Sequence, residues 1–221
     1  MGRRSVHSPE ELRQLILSSA RTIIEKNGLP GLSAREIAKL IGYSPGTLYN
    51  IFENLDDVLL TLQINTLGDV YEKMVGTPEG GTPEDTLDAL ADTYLEFALN
   101  NRHLWNLLFA HQLPDGVAAP AALHNHVNNG MKLIQNALAP LMPASSDSET
   151  DAAARTLWVG VHGITAIAVT QKGPTITTNT ARDHVRRLTS TYVAGLKAIA
   201  ARQCAKSDGT GIASQSRALG D

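Results

Sequence analysis

Apolar residues recur every three or four positions along most of this chain, and the strict apolar–polar alternation of a half-buried strand is nearly absent. Leu12, Leu15, Ile16, Ile23 and Ile24 mark one helical face. Ahead of them Ser8-Pro9-Glu10-Glu11 supplies an N-cap, a proline at the first helical position and a capping-box glutamate, and Asn27-Gly28 ends the helix. Ser33-Ala34-Arg35-Glu36 is a second capping box, opening a short helix whose Ile37, Ala38 and Ile41 share a face before Gly42 stops it. Ser44-Pro45 starts a third. A longer helix is predicted over about 54–75, and another after the cap Thr82-Pro83-Glu84-Asp85, with Leu87, Leu90, Tyr94, Leu95 and Ala98 at helical spacing. Further helices fit 102–111, about 121–140, 149–171 and 180–203, separated by the breaker-rich stretches GTPEGGTP, PDG, PASSDS and GPTITTN. The expected architecture is all-α with about nine helices. The segment after Cys204, AKSDGTGIASQSRALGD, is small, polar and aperiodic, and reads as disordered.

Composition changes this picture little. With 43% hydrophobic and 19% charged residues among 221, there is apolar side chain for a sizeable core. The one cysteine cannot form an intramolecular disulfide, and neither a signal pattern nor an apolar run of about 18 residues stands out, so a cytoplasmic protein with no membrane association is expected. Charge is more informative in its distribution. Residues 1–52 hold seven Lys or Arg against four Glu, leaving −6 for the rest of a chain whose net charge is −3. That asymmetry orients the N-terminal end toward a polyanion.

Residues 33–52 therefore divide into a short helix, a turn through Gly42 and Tyr43, and a second short helix, which is helix-turn-helix geometry. Ala38 is small enough for the two helices to cross closely, while Leu48 and Phe52 point back toward Ile37, Ile41 and the first helix. Outward are Pro45, Gly46, Thr47, Tyr49 and Asn50. The small residues Ser44 to Gly46 let the helix N-terminus approach phosphate, Thr47 and Tyr49 have hydroxyls to donate, and Tyr49 and Asn50 are placed to reach base edges. Arg35, on the bracing helix, suits a guanine edge or a phosphate.

SAREIAKLIGYSPGTLYNIFENLDDVLL resembles the DNA-binding signature of the tetracycline-repressor (TetR) family of one-component regulators, over residues 33–60 and after one N-terminal helix as that family places it. The resemblance implies a three-helix DNA-binding domain over 1–53, a larger ligand-binding and dimerisation domain over 54–203, and a tail over 204–221. It implies a homodimer on double-stranded DNA whose contacts fall to Arg35, Ser44, Pro45, Gly46, Thr47, Tyr49 and Asn50, with Arg3 and Arg4 as an added arm. Two recognition helices about 34 Å apart, or slightly more, would read a palindrome. Two positions depart from the family pattern. Ile51 stands where an aromatic or histidine is common, and Leu55 where a lysine near the start of the fourth helix neutralises phosphate.

Farther on, LWVGVHGI over 157–164 puts Trp158 and His162 four apart on one helix face with Gly163 just beyond. This resembles a subgroup of the same family's C-terminal domains named for a Trp-His-Gly element. Two readings stand. In one, Trp158 and His162 are core and Gly160 and Gly163 let helices pack closely. In the other, Trp158 and His162 line a pocket for a small-molecule effector with Trp105, Phe109 and Tyr94. Leu157, Val161, Ile164 and Ile167 on one helix, and Leu188, Tyr192, Val193, Leu196 and Ile199 on the next, offer more apolar surface than one layer requires. The resemblance makes them a four-helix dimer interface. Effector binding would then shift the helix beginning near Asn54 and change the spacing of the recognition helices.

Catalysis finds no support. His124 and His126 are two apart on a predicted helix and point about 200° away from each other, so they cannot share a metal, and the other histidines lack ligand spacing. No Gly-rich phosphate loop follows a strand, and Asp56-Asp57 and Asp85 to Asp88 read as charges favoured at helix N-termini. The expectation is a non-enzyme without cofactor or metal, a ligand-responsive repressor, with a ligand-independent architectural DNA-binding protein as the alternative.

Overall fold

The computed structural model describes residues 7–77, 81–111, 118–171 and 176–215, with residues 204–215 as backbone only. Among the described residues there are nine α-helices and no strand: α1 Pro9–Asn27, α2 Ala34–Ile41, α3 Pro45–Leu48, α4 Leu55–Val75, α5 Pro83–Asn100, α6 Arg102–Ala110, α7 Ala121–Leu138, α8 Asp147–Thr170 and α9 Ala181–Gln215.

The helix ends follow their local chemistry. Ser8 Oγ accepts from the Glu11 backbone N–H at 3.2 Å, and the Glu11 carboxylate accepts from the Ser8 N–H at 2.7 Å, so the box ahead of α1 is closed at both sides. Gly28, at φ 71°, donates its N–H to Ile24 and turns the chain away. Ahead of α2 the box is half made: Ser33 Oγ accepts from Glu36 N–H, while the Glu36 side chain lies toward Lys39. α8 begins two residues before the predicted 149, because Ser146 and Glu149 form another complete box.

Two compact units divide the chain, residues 1–72 with 97–128, and residues 73–96 with 129–221. In the first, α1, α2, α3, the first half of α4 and α6 enclose one core in which Ile16, Ile24, Ile37, Leu48, Leu104 and Leu107 are fully buried. α6 is fastened to α4 by polar ties. Gln63 donates its amide to the Leu107 carbonyl at 3.0 Å, and His111 Nε2 lies 2.9 Å from Asp56 Oδ1. Asp56 is thus more than an N-terminal charge for α4.

In the second unit α8 and α9 pack closely. A Cβ on Gly160 would lie 2.6 Å from the Leu188 Cδ2, so any larger residue here would make the Leu188 side chain shift. Gly163 meets nothing within 4 Å and is under no such constraint inside the chain. Tyr192 donates its hydroxyl to the Ala153 carbonyl at 3.0 Å. α5 presents acids four residues apart to α9: Glu84 pairs with Lys197, Asp88 accepts from Thr189, Asp92 pairs with Arg186 and Arg182, and Glu96 with Arg182. Asp85 does cap the start of α5, through Thr82, but Asp88 serves this ladder instead.

The tail requires a correction. Residues 204–215, expected to be disordered, continue α9 to Gln215, because ARQCAK is helix-favouring and no proline follows to stop the ladder. The stretches around 78–80, 112–117 and 172–175, and the arm residues Arg3 and Arg4, lie outside the described residues. α8 is long and apolar enough by length and mean hydropathy (1.3) to cross a membrane, but 39% of that stretch is buried inside the protein, where it packs with α9 as a core helix does.

Candidate nucleic-acid interface and sensor chamber

The exposed surface over α2 and α3 is set by what lies beneath it. Ile37 and Ala38 are buried on α2 and Leu48 on α3, so Arg35 is left outward, along with Ser44, Pro45, Gly46, Tyr49 and Asn50; Thr47 is half-buried. Gly42 takes the left-handed conformation at φ 75° that the turn requires. Tyr43, next to it, is tied by a 2.7 Å hydrogen bond between its hydroxyl and His7 Nδ1, so the residue two positions before α1 steadies the turn.

α3 is a single turn. Tyr49 is its C-cap and Asn50 follows, with the Asn50 N–H donating to Thr47 and those of Ile51 and Phe52 to Leu48. The helical course therefore continues as tight turns under Phe52, which is 1% exposed. Ser44 caps no backbone N–H with its side chain; its hydroxyl meets that of Thr47 at 3.1 Å. The two hydroxyls form one polar spot at the start of the recognition segment, suited to a phosphate oxygen.

The departures at Ile51 and Leu55 have a structural reason. Both pack against the core of the first unit, so these positions serve the platform instead of phosphate. The Arg13 guanidinium, 4.3 Å from the Phe52 ring centroid, brings a cation from α1 to this same segment. The sequence carried a signal for it, an arginine on α1 one position from the buried Leu12, but not its aromatic partner 39 positions away.

The aromatic residues of the predicted pocket fall into two groups. Trp105, fully buried, and the half-exposed Phe109 meet at 4.8 Å between ring centroids, tilted by 52°, in the first unit. Trp158 and His162 belong to the second, with rings stacked at 5.1 Å, and Tyr94 completes the set: its hydroxyl meets His162 Nδ1 at 2.9 Å. Trp158 and Tyr94 line an apolar chamber together with Leu87, Ile134, Leu157 and Val161. His162 stands behind these two aromatics and braces both. Burial pushes its imidazole pKa below the ordinary histidine value, which favours a neutral ring. No group of three or more His, Cys, Asp or Glu able to hold a metal occurs among the described residues.

Comparison with known proteins agrees with these two regions. The family described as bacterial regulatory proteins, tetR family, matches residues 16–62, and the tetracyclin repressor-like C-terminal domain matches 87–192, a span that contains Trp158, His162 and Gly163. An uncharacterized HTH-type transcriptional regulator of Bacillus subtilis, YobS, is 24% identical over 89 residues, 40% of this chain; the match spans about half (47%) of that relative's length. Among solved structures, a protein of unknown function from Rhodococcus sp. RHA1 superposes with a TM-score of 0.69 at 22% identity, covering 89% of this chain and 100% of that one. The Bacillus subtilis regulator FadR in complex with stearoyl-CoA gives a TM-score of 0.63 at 16% identity, covering 80% of this chain and 97% of that one. These likenesses establish the all-helical fold, and the two family matches go further: the chain belongs to the TetR family of DNA-binding transcriptional regulators.

Proposed function

We propose that this regulator is a homodimeric repressor that binds a palindromic operator and leaves it when a small molecule occupies the second unit. The observation that carries the reading lies in α4. Its first residue, Leu55, packs on the helix-turn-helix core, and Met74, near its other end, walls the apolar chamber. One continuous helix thus belongs to both the platform and the chamber wall, and a ligand that displaces Met74 acts on the helix that follows the recognition segment. The His111–Asp56 pair and the Gln63 tie add α6 to the first half of the same helix.

In this reading residues 1–53 are the DNA-binding domain and 54–203 the sensing and dimerising one. Arg35, Ser44, Pro45, Gly46, Thr47, Tyr49 and Asn50 meet DNA; Trp158 and Tyr94 meet the ligand, with His162 positioning both. Two facts support dimerisation through α8 and α9. Val159, Ile167 and Ile199 are exposed apolar side chains, and Gly163 and Gly195 have open space where a Cβ would stand. A second copy packing there would bury them. That FadR is described with stearoyl-CoA shows a related fold holding a ligand, which supports a sensor here. The protein would act in the cytoplasm, with DNA, an effector and its own copy as partners.

Selection of bound sequences from random DNA, with sedimentation of the free protein, tests the reading. A palindrome of defined half-site spacing and a dimer at micromolar concentration are expected. A monomer that selects no palindrome would refute it, and bending of DNA without sequence preference would favour the architectural alternative.

A further inference from the structure

We infer that the effector is an uncharged, elongated, mostly apolar molecule that enters through an open groove beside the chamber and places its apolar end against Tyr94 and Trp158. This rests on the ligand-responsive reading above and names the ligand's class.

The chamber itself is small, about 20 Å³, room for little more than one water molecule. A second space of about 380 Å³ opens next to it, within the roughly 300–1,000 Å³ range of small-molecule sites. The two share Met74 and Leu90 as walls. Methionine is the side chain best able to change shape in place, with three rotatable bonds and no branch. Movement of Met74 would open part of that shared wall and let chamber and groove merge toward one elongated site, and Met74 is on α4.

The lining decides the ligand's charge. Among the described residues neither space has a Lys, Arg, Asp or Glu in its wall. The chamber offers apolar side chains and the Tyr94 ring. The groove adds Thr77, Thr86 and Asn136, neutral groups that hydrogen-bond but bring no countercharge. The charged side chains that α5 directs at α9 are already paired: Glu84 with Lys197, Asp92 with Arg186. Burial lowers the pKa of His162 behind Tyr94, which disfavours a cation there. A carboxylate or phosphate placed here would lose hydration with nothing to replace it, whereas an alcohol or ester would keep its hydrogen bonds at the groove. A regulator of acyl-CoA or free fatty acid needs a cationic site, which the described residues of these walls do not supply.

The test uses the full chain and two probes of equal length, decan-1-ol and decanoate, titrated calorimetrically, with operator affinity measured in parallel. Decan-1-ol is expected to bind at least about tenfold more tightly than decanoate. Thr86→Trp, which fills the groove from a half-exposed wall, should weaken decan-1-ol at least about tenfold while the unfolding temperature holds. Asn136→Lys, at an exposed groove position, should narrow or reverse the preference by giving decanoate a partner. Decanoate binding the unmodified protein as tightly as the alcohol, no decan-1-ol binding, or unchanged alcohol affinity in Thr86→Trp would each overturn the inference. Binding of decan-1-ol without any change in operator affinity would leave the ligand class standing and refute ligand control of DNA binding. Release of operator by decanoate would do the reverse.

Discussion

The two regions of this protein treat buried space in opposite ways. Under the recognition segment, Ile37, Leu48 and Val58 are wholly buried and Phe52 nearly so, and even the positions where the family carries phosphate-binding side chains, Ile51 and Leu55, are given to the core. Around the chamber, the aromatic side chains leave a space beside Met74 and hang on one another through Tyr94, His162 and Trp158. On the proposed reading, a surface that presents Tyr49 and Asn50 in register to base edges gains from a platform that cannot yield, because interiors at crystal-like density transmit displacement. The proposed sensor gains from a wall that can.

The comparison is tested most severely by truncation. Leu48→Ala removes a fully buried side chain from a tightly filled site and should cost about 2–5 kcal/mol, with loss of operator binding at physiological temperature. Met74→Ala, beside existing space, should fall at or below the low end of that range. Denaturant unfolding of both variants measures it. Equal losses would mean the chamber wall is as rigid as the platform.

A smaller effect is expected at the edge of the platform. Leu55→Lys restores a cation at the first residue of α4, beside Asp56 and Asp57, at the cost of some packing. If that edge approaches DNA, the plot of log affinity against log salt should steepen by up to about 0.9, the value for one added phosphate contact. An unchanged slope would place the edge away from phosphate and leave Arg13 as the cation serving this segment.

What could be read beforehand follows the range of the forces involved. Ser8, Pro9 and Glu11 state a helix start within four residues, and Gly42 states a turn by itself, so the helices and the helix-turn-helix were legible. The direction of Tyr49 and Asn50 followed from the burial of Leu48 beside them. Pairings across long separations were not legible: His111 with Asp56, 55 residues apart, and Tyr94 hydroxyl with His162, 68 apart, depend on how helices dock. Tyr94, His162 and Trp158 were named together, but their division into two walls and one brace is tertiary information. The acids of α5 at Glu84, Asp88, Asp92 and Glu96 did carry a signal in their spacing of four; what lacked one was the identity of α9 as their partner. The continuation of α9 to Gln215 was missed because glycines at 209 and 211 read as a coil, although isolated glycines cost a helix only about 1 kcal/mol each.

The smallest expected effect is the pH dependence of the chamber. His162 is pushed below the ordinary value of 6.5 by burial, so between its folded and unfolded pKa values the unfolded chain binds more protons than the folded one. Stability is therefore complete above about pH 6.5 and declines as the pH falls below it, the direction linkage requires for a depressed histidine. His162→Gln keeps a hydrogen-bonding group near Tyr94 and does not titrate. The other six histidines are common to both proteins, so subtracting the variant's unfolding profile between pH 7.5 and 5.5 isolates His162. The wild-type protein should lose more stability on acidification than the variant. Parallel profiles would mean that the ring behind Tyr94 and Trp158 is as well solvated as on the surface, and the chamber would then be open to charge in a way the packed platform is not.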